Sequence, residues 1–238
     1  MIVLLHFPQA HIALVQMELL VFFQDWEAAK SLLIKYGDLR ECFPIYYQSI
    51  RYTFLRGLIC LKAAQSATAW LDRRKWKKQA LKSMKMMCVW LKKGNVNVVH
   101  PMHLLNAECA VLEENKTDAK EMFKAAAAVA ARNGFIQDKA LVHELAGTYF
   151  AAQGDEYWAK FNMDRAHQSY LDWQASAKAE DVAEKWKSLL QTEPSSSTSH
   201  GVAEGPRITA YHCHDSFVGE LVLELRGVSR QRRHSASA

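Results

Sequence analysis

The chain has 238 residues, half of them apolar and 23% charged, which suits one or two soluble globular domains. Its net charge of +5 is local in origin, since nine basic residues fall between Arg73 and Lys93. With no nucleic-acid motif beside them they read as a solvated helix face, and nucleic acid is not the expected partner. Cys42, Cys60, Cys88, Cys109 and Cys213 are odd in number and scattered, which excludes a disulfide framework and points to a reducing, cytoplasmic setting.

The opening stretch is apolar, but Pro8, Gln9, Gln16, Glu18 and two histidines interrupt it and no basic flank precedes it. It reads as a buried helix over residues 9–23, not as a signal or a membrane span. Its apolar side chains run nearly all round, more than one neighbouring helix can cover, so an exposed apolar patch is expected there. The chain starts almost inside this helix, as a piece of something longer would. Asp25 is placed to cap a second helix from Trp26 to Lys35 or Tyr36, and Gly37 to stop it. A long helix is expected from Ile45 to about Leu71, and a partner from about Lys75 to Lys93 with Ala80, Met84 and Met87 inward. Pro101 suits a first helical turn, and His103–Glu113 reads as one helix. Thr117 is the expected cap of the next, which Asn133 and Gly134 end. Asp138 opens a further pair whose turn is Gln153-Gly154-Asp155 and whose second helix runs to about Trp173. Ala177–Leu190 is an amphipathic capping helix, with Val182, Trp186 and Leu189 inward and Lys178, Glu180, Asp181, Glu184, Lys185 and Lys187 outward.

Two of these hairpins repeat. Ala107, Ala119, Phe123 and Ala126 correspond to Gly147, Ala159, Met163 and Ala166, each forty residues later. Small residues recur where paired helices approach closely, with a larger apolar residue beside them. The expected fold is therefore all-α: an antiparallel helix-hairpin solenoid of the tetratricopeptide kind over residues 1–191, best defined over 101–178. Residues 192–238 are expected to be a linker and a disordered tail, in which Phe217–Leu225 is ambiguous between strand and helix.

Such an array makes surfaces. No GxxxxGK, GxGxxG, HExxH, nucleophile elbow or paired CxxC occurs, so no catalytic residue, cofactor or metal site is expected. His212-Cys213-His214 lacks a source for a fourth ligand, and His103 and His143, equivalent in the repeat, read as structural. The aromatic set Tyr149, Phe150, Tyr157, Trp158, Phe161, Tyr170 and Trp173 reads mainly as core and inter-repeat packing, with an exposed subset available to anchor a partner. Leu104, Glu108, Glu144 and Thr148, on first helices, are the candidate protein-binding groove. The expected partners are a protein or peptide, or neighbouring domains of a longer protein, with no membrane.

Residues from about Val98 to Trp186 also resemble a known family. They carry Asn133–Phe135 (NGF), Ala140–Ala146, the Ala159, Met163, Ala166 series, and Tyr170, Trp173, Ala175, Ala177 and Lys178. These resemble the helical-repeat region of large signalling proteins that join a protein-kinase-like domain, an AAA-type ATPase and a histidine kinase. Gln174 stands where that family usually has glycine, and no proline closes the unit after Ala166. The resemblance implies an internal regulatory region for protein or interdomain contact in signal transduction. The family's catalytic domains lie outside this chain.

Overall fold

The computed structural model describes residues 7–43 and 47–190. The chain divides into Met1–Glu193 and Pro194–Ala238, and every described residue belongs to the first unit. The expected linker and tail, with His212-Cys213-His214 and Phe217–Leu225, lie outside the described residues.

Those residues are all-α, without a strand: α1 (Phe7–Phe22), α2 (Trp26–Tyr36), α3 (Tyr47–Ser66), α4 (Trp70–Lys92), α5 (Val99–Leu112), α6 (Lys116–Arg132), α7 (Ile136–Ala152), α8 (Glu156–Asp172), α9 (Ser176–Lys185) and α10 (Lys187–Leu190). Short 3-10 turns at Leu39–Cys42 and Val96–Val98 join α2 to α3 and α4 to α5. Successive helices pack as pairs, α3 on α4, α5 on α6 and α7 on α8, with α6 also packed on α7 and α9 on α8.

One corner recurs. Gln24, Gly94, Glu114, Gly134, Gly154 and Gln174 all have positive φ, and from Gly94 onward they fall twenty residues apart. At each, the next residue's N–H reaches five residues back, from Asp25 to Leu20, Asn95 to Trp90, Asn115 to Ala110, Phe135 to Ala130, Asp155 to Phe150 and Ala175 to Tyr170. This is the Schellman closure, which satisfies a carbonyl the helix end would otherwise leave open. From α5 on, the residue that donates is also the N-cap of the next helix, so each connection is as short as a helical corner allows. Asp25, Asn115 and Asp155 add a side-chain cap to the N–H three residues on. Gln174 adopts the left-handed conformation that glycine takes at other corners, so the turn after Trp173 is kept.

The forty-residue register puts small residues inside. Ala107, Ala119, Ala126, Ala159, Met163 and Ala166 are fully buried and Phe123 nearly so. A Cβ on Gly147 would come within 3.0 Å of three Met163 side-chain atoms, so α7 and α8 touch there at glycine distance.

Several local expectations are corrected. The α3–α4 break falls at Ala67–Ala69, earlier than expected, so Trp70 and Leu71 open α4 in solvent. Ala69 takes an extended conformation without any glycine or proline to announce it. α5 starts at Val99, with Pro101 in its first turn. Asn115, not Thr117, caps α6. Asp138 lies inside the first turn of α7 and is buried. The terminal helix breaks at Trp186 into α9 and α10, and Lys178 points inward, 3% exposed.

Candidate interaction surfaces

The residues expected to line a groove are placed mainly inside. Leu104, Glu108 and Glu144 are each at most 1% exposed, and Thr148, half-buried, donates its hydroxyl to the Glu144 carbonyl. They do not form an open groove. The first-helix face that carries them is the one on which other helices stack: α3 covers Glu108, and α8 and α9 cover Glu144. Lys62 on α3 pairs with Glu108 at 2.7 Å, and Gln65 donates to the same oxygen at 2.8 Å. Lys178 on α9 pairs with Glu144 at 2.7 Å, and the Tyr170 hydroxyl donates to its other oxygen at 2.7 Å. Burial lifts the Glu144 carboxyl above its ordinary range, an effect that Lys178 and Tyr170 only partly oppose. Burial and the adjacent Glu144 push the Tyr170 phenol up.

A third buried cluster ties four helices. Arg51 on α3 donates to Glu18 of α1 at 2.7 Å and to Asp138 of α7 at 2.6 Å. The His100 Nε2 of α5 lies 2.8 Å from the other Asp138 oxygen, and its ring stacks on Phe135. Burial alone would raise the Asp138 carboxyl, but Arg51 and His100 outweigh it and hold Asp138 below the ordinary range. These charges are spent on assembly. A buried ion pair of this kind fixes register and is costly to break on one side.

His103 is half-buried and His143 buried, as structural side chains are. Burial pushes the Cys60 and Cys109 thiols up to about 12, far from the thiolate range of a nucleophile. Among the described residues no group of three or more His, Cys, Asp or Glu side chains could hold a metal ion. None of their helices is long and apolar enough to cross a membrane.

Two surfaces remain. The first is on α1. Its inner face is Ala10, Ala13, Leu14, Met17 and Val21, all buried. Its outer face carries Ile12, Val15, Leu19 and Phe23, between 40% and 59% exposed and spaced by three or four residues. The stripe is about 16 Å long at the helical rise. At its end Phe22 packs on Tyr170 and on Trp173, which is itself 39% exposed, and Lys185 reaches the Phe23 carbonyl at 3.4 Å. The apolar surface therefore continues from α1 onto the α8–α9 corner. The expected patch at residues 9–23 is present, and no spacing rule would have added Trp173 to it, because contact across about 150 residues leaves no local signal. Of the remaining aromatic set, Tyr170 and Phe150 are core, whereas Tyr157 is 72% exposed.

The second surface is on α4. Lys75, Lys78, Lys82, Lys85 and Lys92 are exposed in single file along one side of that helix, with Val89 among them. Lys77, off this line, pairs with Glu113, and Arg73 donates to the Leu112 carbonyl. Part of the basic excess is thus structural and part is a solvated face.

No protein-family model, curated protein or solved structure matches the chain.

Proposed function

We propose that the chain is a non-catalytic helical-hairpin module that binds another protein, or a neighbouring domain of a longer signalling polypeptide. The α1 stripe carries this reading. Four apolar side chains at three- and four-residue spacing, extended by Trp173, make the kind of face that an amphipathic partner helix covers. Covering side chains that are about half exposed is worth roughly 1 kcal/mol each. The stripe alone therefore offsets only part of the cost of association, and the neighbouring Trp173 and Lys185 belong to the same contact. The resemblance of Val98–Trp186 to regulatory repeat regions supports a signalling setting.

Light scattering and native-state hydrogen exchange on the full chain test it. The wild-type chain is expected to associate with rising concentration, and the Val15→Glu/Leu19→Glu variant to remain monomeric with unchanged helicity. A wild-type chain that stays a monodisperse monomer at rising concentration, with no change in α1 exchange, would defeat the proposal. Turnover of ATP above a buffer control would defeat its non-catalytic part.

A further inference from the structure

A separate cavity of about 300 Å³ lies between α6, α7 and α8. It reaches the lower end of the range for small-molecule sites. The cause is an imbalance of side-chain size between two helices that flank α7. α6 presents Ala127, Ala128 and Ala131 beside Phe123, while α8 presents Trp158 and Phe161, so small side chains face large ones across the slot.

The floor is apolar, and its two polar side chains, His143 and Asn162, bond to each other. His143 Nδ1 lies 3.0 Å from the Asn162 Oδ1, and the Asn162 amide donates to the Trp158 carbonyl at 2.8 Å. Since the Asn162 nitrogen is the donor there, its oxygen accepts, and His143 carries its proton on Nδ1. Burial, with Arg165 and Lys139 nearby, keeps that ring neutral at neutral pH.

The rim is cationic. Lys120, Lys124, Lys139 and Arg165 line the cavity, and no acidic side chain does. None of the four shares in an ion pair involving the cavity; Lys120 lies 4.5 Å over the Trp158 ring and Arg165 4.7 Å over Phe161. Four like charges around a half-open apolar slot raise its potential, which favours an anion there. An apolar floor favours a ligand body that is mainly apolar.

We propose that this cavity binds a small amphipathic anion, its aromatic or acyl body between the α6 alanines and the α8 rings and its carboxylate or phosphate at the Lys124, Lys139 and Arg165 rim. The site is distinct from the α1 stripe and does not depend on the proposed protein contact.

The test is a fluorescence titration of the full chain with 8-anilinonaphthalene-1-sulfonate, competed by 1-naphthoate, dodecanoate, dodecanol and an acidic peptide. One saturable site is expected, displaced by an anionic competitor and not by dodecanol. Displacement by 1-naphthoate assigns an aromatic body, and displacement by dodecanoate an acyl one. Lys124→Glu/Lys139→Glu, at residues without a structural partner, should weaken binding by about tenfold or more. Ala128→Trp should fill the slot and abolish binding, while Val15→Glu/Leu19→Glu leaves it unchanged. The proposal is overturned if the signal is lost only in the α1 variant, if dodecanol competes as well as dodecanoate, or if only the acidic peptide competes.

Discussion

Replacing Lys178 by Met removes the cation that faces Glu144 and leaves a carboxylate buried at 1% exposure with only the Tyr170 hydroxyl for company. Breaking a buried pair on one side costs about 3–5 kcal/mol in general. Here there is a ceiling, because the carboxyl escapes by taking a proton. Protonating a group whose ordinary pKa is ~4.3 costs about 3.7 kcal/mol at pH 7 and about 1 kcal/mol at pH 5. The sign follows from linkage: the folded variant binds a proton that the unfolded chain does not, so its stability falls as pH rises. The lost pair with Asp181, which is part-exposed, adds little. Lys178→Met is therefore expected to cost about 3 kcal/mol at pH 7, a fall of roughly 6–12 °C in Tm for a chain of this size. The gap from wild type should shrink to about 1 kcal/mol at pH 5. Adding Glu144→Gln, which keeps an acceptor for Tyr170 and carries no charge, should recover most of the loss at pH 7. Thermal and urea unfolding at both pH values measure this. A loss that is independent of pH, or a double variant no better than the single, would refute the assignment of a buried charge pair.

The close contact of α7 and α8 gives a second expectation. Gly147→Ala would gain about 0.5–1 kcal/mol of helix propensity, but its Cβ would meet Met163 Cγ at 2.9 Å as well as the mobile end of that side chain. A net loss is expected in chemical denaturation, reversed in a Met163→Ala background. Ala159→Leu should cost about 1–3 kcal/mol by the same crowding. His143 gives the third. Its pKa is lowered by burial to about 4, so below its ordinary value the unfolded chain takes up a proton that the folded chain refuses. Wild type should therefore lose up to about 3 kcal/mol relative to His143→Gln as pH falls from 6.5 to 4, and no more below that. Parallel acid limbs for the two proteins would rule this out.

What the sequence showed and what it hid follow from the range of the interactions involved. The cap at Asp25, the stops at Gly37 and Gly134, the turn at Gln153-Gly154-Asp155 and the forty-residue register of small residues are all local or periodic. The twenty-residue recurrence of the corners was harder to see, because Gln24, Glu114 and Gln174 occupy the left-handed position that glycine marks elsewhere. The α3–α4 break was misplaced because Ala67–Ala69 contains only residues that helices accept. The buried charges were hidden for a different reason. A Glu or Lys within a helix is assigned to solvent unless its partner is known, and the partners here lie far along the chain. Arg51 and Asp138 are 87 residues apart, and Glu144 and Lys178 are 34 apart. Sequence alone thus places Glu108 and Glu144 on a free surface, whereas they are internal ties. The cavity over α7 depends on side chains from three helices, which no single-helix pattern contains.

These long-range ties bear on how the module responds as a whole. In an ideal helical solenoid each repeat touches only its neighbours, and stability is close to a sum over adjacent pairs. Here Arg51 of α3 is bound to Asp138 of α7, two hairpins along, in a cluster that His100 of α5 joins, and also to Glu18 of α1. Lys185 of α9 meets the carbonyl of Phe23, 162 residues earlier, and Lys178 lies 5.3 Å over the Phe23 ring while pairing with Glu144. Fraying of α1 therefore exposes charges belonging to the second and fourth hairpins, and loss of α9 uncovers the end of α1. Because an unpaired buried charge costs several kcal/mol, the ends are held by the same interactions that hold the middle. The partner proposed above would cover the outer face of a helix whose inner side is fastened to Arg51 through Glu18. The apolar stripe is in this sense the exposed side of the element that fastens the array.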